Sequence, residues 1–304
     1  MRHKEKQFSL LERSECLAKF MGGDISHPKA SENECRNVYI IMNHRNNTVS
    51  EILSCVFLTC HFLSVTVFAA HTSPPASYTC LFTSSTIMID GRLDEPAWET
   101  TPILSFFVPP DSHPPLSKTE GHLLWDMNYL YVGFRAWDKD IIGTFTKRDS
   151  STWKEDVLEV FLMPDKGKGI YYNFEISPIG TIYDGRNGAG ITLEKQGEWD
   201  CPGLRVKITI HGTLNKHDDL DDLWEMEISI PWEALEASGE KAPRAGDVWR
   251  FHLARYDYSV SLPGGKELSS CAPLRKVSFH NHDNWLRLIY STQGASASGG
   301  EKYY

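Results

Sequence analysis

LWDMNYLYVGFRAWDKDIIGTFTKRDSSTWKEDVLEVFLMP, residues 124–164, decides the fold. Two alternating aromatic-rich runs flank a polar crossing loop that ends near Trp153. In the first run Leu130, Val132, Phe134 and Ala136 fall on one face, and Tyr129, Tyr131, Arg135 and Trp137 on the other. In the second, Val157, Glu159 and Phe161 oppose Asp156, Leu158, Val160 and Leu162. Strand side chains alternate between faces, so both runs read as sheet strands. A carboxylate inside an otherwise apolar strand is costly unless paired, which singles out Glu159.

The same alternation recurs along the chain. Strands are expected near 86–89, 119–125, 170–177, 204–211, 223–230, 248–258 and 285–290. In the 223–230 run Trp224, Met226, Ile228 and Ile230 share one face. A single helical turn after Asp94 carries Trp98 towards the core, and Pro231–Ala237 reads as a short helix. Residues 99–118, with five prolines, and 181–190 read as irregular. About nine to eleven short strands at regular spacing with almost no helix predict an all-β, two-sheet antiparallel β-sandwich.

The 304 residues carry 31 Lys and Arg against 40 Asp and Glu, a formal charge of −9. That balance argues against a nucleic-acid partner, because such proteins concentrate basic residues. Residues 1–41 lack sustained periodicity and read as an upstream artefact or disordered. Met42 reads as the true start. The apolar run Ile52–Ala70 then makes 42–70 a secretory signal, or an anchor if it stays uncleaved. On this reading the protein is secreted, periplasmic or at the cell surface, and touches a membrane only through residues 52–70. Residues 71–85 are Pro/Ser/Thr-rich and read as a linker, 86–292 as the folded domain, and 293–304 as a disordered tail. Of seven Cys, only Cys80, Cys201 and Cys271 follow the export segment, and spacing leaves a disulfide among them open.

IDGRLDEPAW, LLWDMNYLYVGFRAWDKD, WKEDVLEVFL, WEMEISIPWEAL and a closing FH…WLRL, in that order over about residues 86–290, resemble carbohydrate-binding module family 9 and its DOMON-like relatives. The resemblance implies a jelly-roll-like or immunoglobulin-like sandwich, no catalysis, and binding of plant polysaccharide such as xylan or cellulose, in the service of glycoside hydrolases. It also implies structural calcium in some members. It places Trp153 as one wall of a sugar clamp, with Glu159 and Glu175 as polar contacts. The second tryptophan of such a clamp has no counterpart here. Phe279 is the nearest aromatic, with His280 beside it as a hydrogen-bonding group.

Each of these residues has a structural reading too. Trp153, among Ser150, Ser151, Thr152, Lys154 and Glu155, reads as a stacking platform or as a cap on the core edge. Glu159 could accept sugar hydroxyls or pair with Arg135, Arg148 or Arg255. Arg255 reads equally as a sugar contact or a structural fork donor. Asp156 and Glu159 sit three apart on a strand and face opposite ways, so they do not form a catalytic carboxylate pair. The acidic run Asp218, Asp219, Asp221 and Asp222, and Asp138 with Asp140, could serve calcium or a solvated turn. His280, His282 and Asp283 would place two imidazoles on one strand face. Two competing functions remain open. One is a b-type haem domain of related fold using Met163, Met226, His252 or His280. The other is a hydrolase with a site the sequence does not reveal.

Overall fold

The computed structural model describes residues 77–164, 169–188, 190–239 and 241–293. The upstream stretch, the export segment, the linker up to residue 76 and the tail from 294 lie outside the described residues. Twelve strands are present: β1 Ser77–Phe82, β2 Leu104–Ser105, β3 Thr119–Trp125, β4 Tyr129–Trp137, β5 Val157–Met163, β6 Tyr171–Ile176, β7 Ile182–Asn187, β8 Arg205–His211, β9 Leu223–Pro231, β10 Val248–Tyr258, β11 Lys266–Ser270 and β12 Leu286–Ser291. Among the described residues the α-helices are four residues each, α1 Pro96–Glu99 and α2 Leu193–Gln196. Among the described residues no helix is long and apolar enough to cross a membrane.

The all-β architecture expected from the sequence holds. Its hydrogen bonding, however, joins the strands into one curled sheet in the order β7-β6-β5-β10-β12-β1-β3-β4-β9-β8, with β11 on β10 and β2 on β3. Most pairs are antiparallel, but β1 runs parallel to both neighbours, β12 and β3. Strands apart in the ladder meet in the larger of two hydrophobic clusters. A Cβ added to Gly121 of β3 would stand 2.7 Å from Leu253 Cδ1 of β10, although two strands separate them in the ladder. Tyr78 of β1 meets Phe251 of β10 with ring centroids 5.9 Å apart. The face predicted for β9 is core throughout, with Trp224, Met226, Ile228 and Ile230 all fully buried.

Four local expectations are corrected. Residues 77–82 are a central strand rather than linker, because Tyr78 and Cys80 alternate into the core while Ser77 and Thr79 do not. Residues 86–89 form no strand, and 181–190 contains β7. That strand is mostly polar, and its character comes from full pairing along β6. The first helix begins after Glu95 instead of Asp94, and the Glu95 carboxylate accepts from Met88 N at 2.9 Å. Cys80, Cys201 and Cys271 are all free thiols.

The IDGRLDEPAW block docks on the outer face of β4, β8 and β9 through one buried acid. Glu227 Oε2 accepts from the Asp90 and Gly91 amides, each at 2.9 Å, and Oε1 accepts from Trp98 Nε1 at 3.0 Å. Gly91 has φ +91°, and a Cβ there would lie 2.8 Å from the Ile208 backbone. Only glycine meets both demands. Arg135 completes the dock by donating to Leu93 O and pairing with Glu225.

Burial pushes Glu227 up to about 7. The folded chain therefore holds this proton more tightly than the unfolded chain, where the value is 4.5. The contribution to stability is complete below about pH 4.5 and is lost as pH rises through about 7. We expect Glu227→Ala, which strands three buried donors, to lower the unfolding free energy by about 3 kcal/mol or more in urea titrations, and to remove this part of the pH dependence.

Candidate functional site

One row of residues runs straight across four strands on the outer face. Tyr183 of β7 pairs with Glu175 of β6, Glu175 with Glu159 of β5, and Glu159 with Ala254 of β10. The next row is Gly185, Asn173, Phe161 and His252. Directly opposed residues of an antiparallel pair hold their Cβ atoms about 5 Å apart, so the two glutamates are immediate neighbours.

Both are nearly sealed, Glu159 being 3% and Glu175 4% exposed. Glu175 accepts from Thr152 Oγ1 at 2.9 Å and from Asn173 Nδ2 at 3.1 Å. Asn187 Nδ2 donates in turn to Asn173 Oδ1 at 2.6 Å, which orients that amide. Gly185 leaves room for the arrangement, since a Cβ there would lie 2.8 Å from Asn173 Oδ1. Glu159 Oε2 has no hydrogen-bond partner. Burial pushes Glu159 well above the carboxylate range, and the neighbouring Glu175 adds to the effect. Burial raises Glu175 to about 7 against its two hydrogen bonds.

Trp153 stands beside this row on a 3₁₀ turn, Thr152–Lys154, and is 38% exposed. Its indole meets the Tyr183 ring edge-on at 6.1 Å. The turn is held on every side. Thr152 is bound to Glu175, and Tyr258 Oη donates to Trp153 O at 2.9 Å. Glu155 accepts from Thr144 and Phe145, and Asp156 from Ile142 N and Tyr258 N. Glu155 and Asp156 of WKED are thus anchors of the turn that presents one aromatic ring to solvent.

His280 reaches the same face from the β11–β12 connection. Its Nδ1 lies 2.9 Å from Tyr171 Oη, and its ring meets Phe161 at 5.1 Å. His280 and His282 sit on a turn and a 3₁₀ turn rather than on the expected strand. Phe279, expected as a second platform, is only 4% exposed. It packs under the connection against His252 and Tyr256, so it offers no open ring. His252 is fully buried and lowered to about 3, first by burial and then by His280, which leaves it neutral.

Arg255 is not part of this face. It alternates to the other side of β10, is fully buried, and bonds Asp138, Thr119 Oγ1 and Trp137 O. Its structural reading is the one the geometry favours. Glu159, moreover, pairs with none of its three expected partners: Arg135 binds Glu225, Arg148 binds Asp184 and Asp200, and Arg255 binds Asp138 and Asp257. The haem ligands divide likewise, because Met226 lies in the core and His252 on the outer face.

Two trios of carboxylates are close enough to share an ion, Asp138–Asp156–Asp257 and Asp149–Asp184–Asp200. Each already contains an arginine paired to two of its members, Arg255 in the first and Arg148 in the second. One guanidinium serves three carboxyl groups in each trio, and both carboxyl oxygens of Asp257 lack a hydrogen-bond partner, so the arginines do not balance the acids. The expected acidic run is used as loop caps. Asp221 accepts from Ile141 N and Thr213 N, and Asp219 from Thr213 Oγ1 and Lys216. Asp140 accepts from Val260 N and faces His217 Nδ1 at 2.7 Å.

Sequence reasoning missed Asn173, Tyr171 and Tyr183. The spacing in YYNFEIS could have found Asn173 and Tyr171, because both share a strand face with Glu175. Tyr183 was hidden with β7.

A family model described as carbohydrate family 9 binding domain-like matches residues 89–289. The chain belongs to that family. Among solved structures it is similar to a putative carbohydrate-binding protein from Bacteroides uniformis, with TM-score 0.52 and 14% identity over 71% of this chain and 99% of that one. It is also similar to a family 9 carbohydrate-binding module from Caldicellulosiruptor kristjanssonii in complex with cellotriose, with TM-score 0.49 and 13% identity over 75% and 100% of the two chains. No curated protein matches it. At these identities the structural likeness speaks to the fold alone.

Replacing Arg255 with Met should leave two buried carboxyls, Asp138 and Asp257, without their guanidinium and cost about 3–5 kcal/mol in denaturant unfolding.

Proposed function

We propose that this domain is an exported, non-catalytic module that binds a neutral plant oligosaccharide, of xylan or cellulose type, on the outer face of β7, β6, β5 and β10. The observation that carries this reading is Trp153: a large, partly exposed ring on an anchored turn, beside a buried row of hydrogen-bonding groups, in a chain of the family 9 binding domain-like family. Sugar C–H groups carry slight positive charge and pack on the negative face of an indole. Glu175, Glu159, Asn173 and His280 would then order the hydroxyls, with Tyr183 and Tyr171 beside them. The curled sheet acts as a sandwich-type scaffold, with one half supplying the face and the other backing it.

Absence of catalysis follows from the arrangement of acids in this reading. Asp156 belongs to the Arg255 side of the sheet and caps backbone amides, so it does not oppose Glu159 across a sugar. Export rests on the 52–70 segment. Affinity is modest, because a sugar exchanges hydrogen bonds to water for hydrogen bonds to protein at small net gain.

Isothermal titration with cello- and xylo-oligosaccharides tests the reading. Trp153→Ala is expected to weaken binding about tenfold or more while leaving the unfolding midpoint nearly unchanged, as befits an exposed ring. Heats that do not change in this variant would remove Trp153 from the site.

A further inference from the structure

The floor of the face holds two carboxyls in a place that tolerates one charge. Glu159 and Glu175 are opposed in register, both sealed from solvent. Like charges so placed do not both ionise without a cation between them. Every element packed against the pair is accounted for. β6 contributes Glu175 itself and Asn173; β7 contributes Tyr183; β10 contributes Ala254, Tyr256 and, one row on, neutral His252. The 3₁₀ turn contributes Thr152 and Trp153, and the β11–β12 connection contributes His280 beyond Phe161. None of these is a fixed cation. The arginines nearest in sequence are committed elsewhere: Arg148 to Asp184 and Asp200, Arg255 to Asp138 and Asp257 on the other face, and Arg250 to His282 O.

The pair is also asymmetric. Two donors, the Thr152 hydroxyl and the Asn173 amide, point at Glu175, and donors stabilise an ionised carboxylate. Glu159 Oε2 has no donor at all. The charge therefore belongs on Glu175 and the proton on Glu159.

We propose that Glu159 is kept as a neutral carboxylic acid at neutral pH and acts as a hydrogen-bond donor to an acceptor oxygen of the bound sugar, with Glu175 as its ionisable, acceptor-only neighbour. An ionised glutamate can only accept, whereas a protonated one also donates, so the proton changes which sugar oxygens the floor can read. This rests on the carbohydrate-binding reading above and assigns that site its donor. The direction of the burial effects on both groups agrees with it. Raising the pH until the pair carries two charges removes the donor and adds an unpaired buried charge, so sugar affinity falls on the alkaline side of neutrality.

The test combines binding and spectroscopy on the native domain and on Glu159→Gln and Glu159→Leu. Infrared difference spectra at neutral pH should show a protonated-carboxyl band in the free protein that disappears in Glu159→Gln. Cello-oligosaccharide or xylo-oligosaccharide titrations between about pH 6 and about pH 10 should show native affinity falling at the alkaline end. Glu159→Leu should lose about tenfold, and Glu159→Gln, whose amide still donates, should recover most of that loss without the fall at the alkaline end. Absence of the band in native protein, or sugar binding that ignores pH over this range, overturns the proposal. If no sugar in the panel binds native protein, the functional reading falls, and the infrared band still decides whether Glu159 holds the proton. If Glu159→Gln does not fold, disappearance of the same band in Glu159→Leu decides the same point.

Discussion

The register of β5 between β6 and β10 is the constraint on which both core and site depend. Strand side chains alternate with a period of two, so a slip of one residue would exchange the two faces of β5 completely. Leu158, Val160 and Leu162 would leave the core, and Glu159 would enter it. In the correct register the apolar set faces the far half of the curled sheet, and Glu159 meets Glu175. The gain from burying the apolar residues is what holds an otherwise unfavourable pair of carboxyls together.

Charge in this domain is handled by interior partners. Arg255 and Arg148 each draw two acids to themselves, and Glu227 gathers three neutral donors. The Glu159–Glu175 pair differs because no arginine joins it. A buried polar group without a partner is costly, and such exceptions concentrate where a ligand or a proton completes the arrangement. The turn that carries Trp153 shows the complementary design. Its acidic neighbours accept from backbone amides of the crossing loop, so the turn that displays the ring is anchored.

Much of the fold was legible because local pattern and tertiary environment agreed. β4, β5, β9 and β10 each send an alternating apolar set into the core, although most of their other side chains are buried as well. The face shared by Trp153, Glu159, Glu175 and His280 was also legible in outline. Where composition and environment disagreed, the pattern misled. Ser77–Phe82 follows a Pro/Ser/Thr-rich stretch, yet is central because β12 and β3 both pair with it. β7 contains Asp184, Gly185 and Asn187, poor strand residues whose burial is made tolerable by Arg148, Asn173 and close packing.

By itself, the sequence determined the strand periodicity, the family blocks and the presence of an acid where an apolar residue was expected. Tertiary structure alone decided which side of the sheet each charged residue serves. Arg255 and Glu159 read alike as candidates, yet β10 alternation sends one to Asp138 and leaves the other beside Glu175. Phe279 read as a platform until the segment carrying it folded down over His252. Period-two alternation can be read from one strand, but the neighbour across a ladder is chosen by a strand distant in sequence, and that pairing sets each group's charge and access.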